Sequence, residues 1–285
     1  IDQPGELGWA EDWVATLIEL QGLKLKPTQR NELHRALVAV QEKGERTLTN
    51  LQIELQDKDM KDALEEYTIS GALGQLLDAE EDGLAVGTWS VFEIEQLMHR
   101  SDRVRLPVLL YLFHVIERRM KGQPCLLILD EAWLMLGNEV FRAKIREWLK
   151  VLRKANCAVL LATQSLSDAA NSGILDVLAE SCPTKIFLAN KEASSEENIQ
   201  LYKLLGCNEA EIRTITDMIP KRQYFVRGEG RRRIELAIGP VALSFVGASG
   251  KEDIARVREL EAEHGEQWPY YWMEERGVNY EYLEV

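Results

Sequence analysis

The 285 residues contain no phosphate-binding loop, for GxxxxGK[ST] occurs nowhere in them. The nearest match is Gly247-Ala248-Ser249-Gly250-Lys251, but Phe245 stands at the place of the first glycine and Glu252 at that of the Ser or Thr. Gly71-Ala72-Leu73-Gly74 has no lysine and is also rejected. Cysteine is sparse: Cys125, Cys157, Cys182 and Cys207 are widely spaced, and no CxxC occurs. That spacing speaks against a disulfide framework and points to reduced thiols in a cytosolic compartment. The four histidines are scattered, and no pair has metal-ligand spacing. Positive charge is in deficit, with 34 Lys and Arg against 47 Asp and Glu, a net charge of -13. Such a balance argues against broad nucleic-acid binding and against coating an anionic membrane. No apolar run approaches the roughly 20 residues of a membrane helix. The chain begins at Ile1 with neither an initiating Met nor a signal-peptide pattern, so a fragment of a longer protein is expected.

What is present is ordinary globular composition, 46% hydrophobic and 28% charged, with enough length to bury a sizeable core. Residues 8 to about 80 read as helical. Trp9, Trp13, Leu17 and Leu20 recur at helical spacing, and Pro27-Thr28 opens a second segment with Leu33, Leu37 and Val40 on one stripe. Short helices are expected around 50–57, 60–66 and 72–78. Trp9 and Trp13 read as helix core rather than ligand contacts. Residues 84–94 read as the first strand region. Pro107 to Met120 and Phe141 to Lys154 read as amphipathic helices. Cys125–Leu129, Cys157–Ala162 and Thr184–Ala189 read as apolar strands, and their alternation with helices predicts a parallel α/β sheet buried on both faces. Helices over 195–205 and 209–218 follow, then a hairpin around Gly228-Glu229-Gly230, a helix over 252–264 and an aromatic, acidic tail. The tail residues Trp268, Tyr270, Tyr271, Trp272, Tyr280 and Tyr282 suit packing on their own domain, with docking on a partner as the other option.

Two strand ends carry the chemistry. Asp130 and Glu131 follow five apolar residues at once, the form of a Walker B segment. Asp130 would hold Mg²⁺, directly or through water, and Glu131 would deprotonate the water that attacks a γ-phosphate. The plain alternative is a strand ending in two solvated acids. Gln164 ends the next apolar strand, and a parallel sheet would put it on the same edge. There it would sense the γ-phosphate or the attacking water, or else cap the next helix beside Ser165. Arg153 and Lys154 lie at a helix end. They either complement the helix dipole or supply an arginine finger to a neighbouring subunit's nucleotide.

The run CLLILDEAW, the helix ending LRKANC, the strand AVLLATQS, then PTKIFLAN and the KRQYFVRG…ELAIGPVALSF stretch stand in this order. Together they resemble the C-terminal motor domain of the TrbE/CagE-type ATPases of type IV secretion and conjugation systems, along nearly the whole chain. The resemblance implies a RecA-like P-loop NTPase core, related to FtsK/HerA translocases and conjugative coupling proteins, with an all-helical subdomain. It implies a helical subdomain at 1–83, an ATPase core at 84–248 and C-terminal helices with the aromatic tail at 249–285. ATP and Mg²⁺ are the implied cofactors. Asp130-Glu131 match the Walker B pair, Gln164 the sensing Gln and Arg153 the trans-acting arginine, while Arg227 is a weaker second basic contact. The resemblance implies that the family's Walker A segment would lie upstream of Ile1.

The expected function is the C-terminal part of a hexamer-forming ATPase, cytoplasmic and peripheral to the inner membrane. It would power secretion-machine assembly or substrate transfer beside other type IV secretion components. The fragment alone is expected to be inactive without its phosphate cradle. The alternatives are a DNA-translocating motor on the same fold and a non-hydrolysing module that docks secretion partners.

Overall fold

The computed structural model describes residues 5–84, 87–131, 136, 138–171 and 173–279, which fall into two compact units divided between Ile174 and Leu175. Trp133, Tyr280 and Tyr282, and Ala85-Val86 of the first expected strand, lie outside the described residues.

The first unit opens with five helices: α1 (Glu6–Leu20), α2 (Pro27–Lys43), α3 (Leu48–Glu54), α4 (Lys58–Leu64) and α5 (Gly74–Leu77). Their apolar stripes meet in one core that includes Val14, Leu17, Ile18, Leu33, Leu37, Val40, Leu51 and Leu64, with Trp9 and Trp13 packed against it. Local chemistry sets the ends. Pro27 at the first turn suits the fixed φ of proline, and the Gln29 amide oxygen accepts from Lys26 N at 3.0 Å. α2 stops at Gly44, whose φ of 72° favours glycine. Thr47 and Asp57 cap α3 and α4 by accepting from Asn50 N and Met60 N. The buried Asp78 carboxylate accepts from Leu48 N at 2.6 Å and Ile69 N at 2.7 Å, so one side chain ties the end of this region to its middle.

Residues 87–94 form no strand. Trp89 is 83% exposed and Val91 77%, because no described strand lies beside them to complete a ladder. α6 (Glu95–Met98) follows, then α7 (Asp102–Arg119), which starts five residues before Pro107. Pro107 offers its carbonyl to Trp13 Nε1 at 3.0 Å, which docks α7 on α1. Trp9 stacks on His114 with ring centroids 3.8 Å apart. β1 (Cys125–Leu129) leads past the rim to α8 (Glu139–Val151), a 3₁₀ turn (Leu152–Ala155) and β2 (Cys157–Leu161). Phe113 of α7 meets Phe141 and Trp148 of α8, and both of those are fully buried. α9 (Leu166–Asn171) closes the unit.

β1 and β2 pair in parallel, Cys125 opposite Cys157 through Leu129 opposite Leu161. Burial alternates along both strands: Leu126 is 60% exposed, Ile128 52% and Leu160 45%. The expectation of cover on both faces therefore fails here. Within the described residues one face of this two-stranded sheet is bare, and an apolar run does not reveal that by its composition.

The second unit contains α10 (Leu175–Ser181), β3 (Lys185–Leu188), α11 (Glu196–Leu204), α12 (Glu209–Asp217), β4 (Gln223–Arg227) and β5 (Arg231–Glu235). Here β3 pairs antiparallel with β4, and β4 with β5, so β3 is not the third parallel strand that its sequence predicts. Phe187 and Phe225, opposed across the ladder, are both buried, while Ile186 and Leu188 are exposed. A strand with one buried face suits antiparallel pairing. After β5 the chain forms α13 (Pro240–Val246), with proline again in the first turn. α14 (Lys251–His264) and α15 (Trp268–Glu275) complete the unit, and Trp272 is buried with its Nε1 donating to Ser244 O at 3.0 Å. Trp272 thus packs on its own unit, as the first option for the tail has it.

Candidate nucleotide site

The parallel ladder fixes the site. Ala162 N donates to Leu129 O at 3.0 Å, so the pairing runs one step past β2 before the chains part. Asp130-Glu131 and Thr163-Gln164 leave from the same C-terminal edge, where open α/β sheets bind ligands. Glu131 has a φ of 49°, a left-handed conformation uncommon outside glycine. Its N–H donates to Asp130 Oδ1 at 3.0 Å. Gln164 Nε2 donates to Glu131 Oε1 at 2.5 Å. The Gln164 and Glu131 side chains are thus joined directly, and the Asp130 carboxylate is tied to the Glu131 backbone.

The helix-capping alternative for Gln164 does not hold. Ser165 caps α9, its Oγ accepting from Ser167 N at 3.1 Å, and Thr163 Oγ1 donates to Ser165 O at 3.1 Å. Gln164 is left free of the cap, and one of its two amide protons is spent on Glu131.

Arg153 sits on the 3₁₀ turn before β2, exposed, at the edge opposite Gln164. β2 spans five residues, about 16 Å, so this arginine does not share the rim with the acids of its own sheet. Arg227 ends β4 in the second unit. Its Nε lies 3.8 Å from Glu211 Oε1, to which Arg231 Nε is also paired at 2.5 Å. Glu211 is 5% exposed and accepts from Asn208 N at 2.7 Å as part of the α12 capping box. A Cβ on Gly206 would lie 3.0 Å from both Arg227 Nη atoms, so glycine makes room for the guanidinium. Arg227 is therefore engaged by an internal carboxylate.

Asp130 is exposed, and its Oδ2 carries no hydrogen bond among the described residues. That suits Mg²⁺, which binds through one or two carboxylates together with waters and substrate phosphates rather than in an all-protein cage. Among the described residues no group of three or more His, Cys, Asp or Glu is placed to hold a metal. The cysteines are all free thiols. Burial, reinforced by the neighbouring Cys125 thiol, pushes Cys157 up to about 11, and burial pushes Cys207 up to about 11. Neither is poised as a nucleophile at neutral pH. Arg142 lies in the first turns of α8, a cation near a helix start. That end of the helix carries positive partial charge, so an arginine there needs a reason.

Residues 38–224 match the family described as the TraG P-loop domain. The chain is 54% identical over 275 residues to conjugal transfer protein TrbE of Rhizobium radiobacter, covering 96% of this chain and 34% of that protein. It is 51% identical over 280 residues to a probable conjugal transfer protein TrbE of Sinorhizobium fredii, covering 98% of this chain and 42% of that protein. The type IV secretion system protein CagE of Helicobacter pylori is 38% identical over 112 residues, 39% of this chain and 11% of that protein. The chain thus spans about a third of the length of the first of these relatives. Among solved structures, VirB4 of Thermoanaerobacter pseudethanolicus superposes with a TM-score of 0.58 at 18% identity, covering 83% of this chain and 70% of that one. Among the described residues, no helix is long and apolar enough to cross a membrane. With an α/β P-loop NTPase fold, and a family match over more than half its length, this chain belongs to the TraG P-loop domain family.

Proposed function

We propose that the chain is part of an ATPase that hydrolyses ATP to power type IV secretion or conjugative transfer. The observation that carries the reading is the Gln164–Glu131 hydrogen bond at the carboxyl rim of β1 and β2. In this reading Glu131 takes the proton of the attacking water. Gln164 holds the Glu131 carboxylate with one amide proton and keeps the other for the γ-phosphate or the water. Asp130 holds Mg²⁺, which when bound neutralises charge on the phosphates. Arg153, on the far edge, serves the nucleotide of a neighbouring subunit in a hexamer. Arg227 steadies the β4–β5 hairpin through Glu211 and at most supports a phosphate contact indirectly. The ATPase core spans 84–248, and the assembly works in the cytoplasm against the inner membrane beside other secretion components. A DNA-translocating motor is less favoured, because the net charge of -13 opposes a phosphate backbone.

The test uses the full-length protein. Glu131→Gln is expected to retain ATP binding and to lower turnover by about 10²–10⁴-fold, the range for loss of a general base. Arg153→Ala is expected to lower turnover of the assembly only, and mixing it with Glu131→Gln subunits is expected to restore part of the rate. Hydrolysis at the wild-type rate in Glu131→Gln would remove the assignment. No recovery on mixing would leave Arg153 as a dipole-complementing cation.

A further inference from the structure

One cation near the start of α8 lacks what a guanidinium needs. α8 leaves the carboxyl edge after β1 and runs back to the start of β2. Arg142 is three residues in, about 4.5 Å along the axis, at the end of α8 that follows β1. Arg153, further down the same path, is at the other edge.

Three features set Arg142 apart. Its Nε is shut off from water and has no hydrogen-bond partner, a condition that Arg227 Nε shares, but Arg227 has the Glu211 carboxylate 3.8 Å away. Among the described residues its guanidinium has neither an ion pair nor a hydrogen bond, although buried polar groups are nearly always satisfied. It also lies at the helix end where the backbone already presents positive charge. Its position is nonetheless fixed. It lies over Gly173, whose φ is 72° and where a Cβ would come within 2.8 Å of Nη1 and 3.5 Å of Cδ. One turn on, Arg146 Nη2 donates to Gly173 O at 2.7 Å, which holds that glycine in place. Glycine at 173 thus leaves room for the Arg142 guanidinium, whose donors have no partner among the described residues.

We propose that Arg142 is a phosphate-binding residue, its guanidinium taking a terminal phosphate oxyanion of the nucleotide. The proposal rests on the ATPase reading above. A planar fork of donors matches a phosphate in two-point contact, and an anion there answers both the missing partner and the helix dipole. The phosphate comes either from the chain's own nucleotide or from that of an adjacent subunit.

The experiment compares full-length wild type, Arg142→Ala, Arg142→Lys and Gly173→Ala. It measures binding of a fluorescent ATP analogue and of the matching ADP analogue, inhibition by inorganic phosphate, and thermal midpoint. Arg142→Ala is expected to weaken the ATP analogue about ten- to a hundredfold and to weaken phosphate inhibition in step, with the ADP analogue affected less. Arg142→Lys keeps the charge without the fork and is expected to fall between. Gly173→Ala shifts the guanidinium and is expected to weaken the ATP analogue while Arg142 itself is intact. Recovery of turnover when Arg142→Ala is mixed with Glu131→Gln assigns the phosphate to the adjacent subunit, and no recovery assigns it to the chain's own site. The proposal is overturned if ATP, ADP and phosphate binding all stay within twofold of wild type in Arg142→Ala and Arg142→Lys, whether or not the thermal midpoint moves. If the wild type binds the analogues and Glu131→Gln stops turnover while Arg142 has no effect, this inference alone has failed. If the wild type binds neither analogue, the ATPase reading has failed with it.

Discussion

Removing the Gln164 amide is the sharpest probe of whether the rim works as one unit. In Gln164→Ala, Glu131 loses the donor 2.5 Å from its Oε1 and is free to turn into water. Both groups lie at the surface, so the ground-state bond contributes under about 1 kcal/mol to stability, and the thermal midpoint is expected to stay put. Turnover is another matter, because a general base must be held within hydrogen-bond reach of its water. Letting it swing is expected to lower kcat about 10–100-fold, equivalent to about 1.4–2.7 kcal/mol of barrier. The decisive measurement is the double-mutant cycle by steady-state phosphate release in the full-length protein. If Gln164 acts through Glu131, adding Gln164→Ala to Glu131→Gln changes kcat by less than about threefold, since there is no base left to position. Should the second substitution cost the same factor in both backgrounds, the two residues act independently, and the hydrogen bond is incidental to the chemistry.

Asp78→Ala strips the acceptor from Leu48 N, Thr49 N and Ile69 N in a buried setting, and is expected to destabilise the first unit by on the order of 3–5 kcal/mol in urea melts. A loss below about 1 kcal/mol would show that water replaces the carboxylate there. The thiols make a pH prediction. Cys157 and Cys207 are raised from 9.0 to about 11, so their stabilising contribution is complete below pH 9 and lost as pH rises through 11. Iodoacetamide should label both slowly at pH 8, where about one thiol in 10³ is ionised, and faster as pH climbs. Rapid labelling of native protein at pH 8 would contradict the burial that raises them.

Much of the fold is legible because helix signals are local. The stripe of Leu33, Leu37 and Val40 behind Pro27 names α2, and Asn208 with Glu211 three residues on writes the capping box of α12. What failed was partner choice. Thr88, Trp89, Val91 and Phe92 have strand propensity, yet propensity stabilises a strand only when another backbone lies beside it. Lys185–Leu188 reads like Cys157–Leu161, but the chain between β3 and β4 returns β4 in the opposite sense, and two helices of intervening sequence carry that decision. The bare side of β1 and β2 was illegible for a related reason. Leu126 and Leu127 are the same residue with opposite fates, 60% exposed and half-buried, and neither carries a mark of which face is covered.

The meeting of Glu131 and Gln164 was legible because it depends on counting rather than on tertiary detail. β1 and β2 are each five residues long and pair first residue to first residue, so they must also end together. Whatever follows one strand within two residues then neighbours whatever follows the other within three. Acids after the first and an amide after the second are brought to hydrogen-bonding distance by register alone, without a long loop to place them. Arg142 escapes this logic because its place depends on Gly173, thirty-one residues later and outside any ladder. A cation set by packing against a left-handed glycine leaves no periodicity behind, only an arginine at the wrong end of a helix. That misfit of charge and dipole is the kind of local conflict that folded proteins retain where a ligand resolves it.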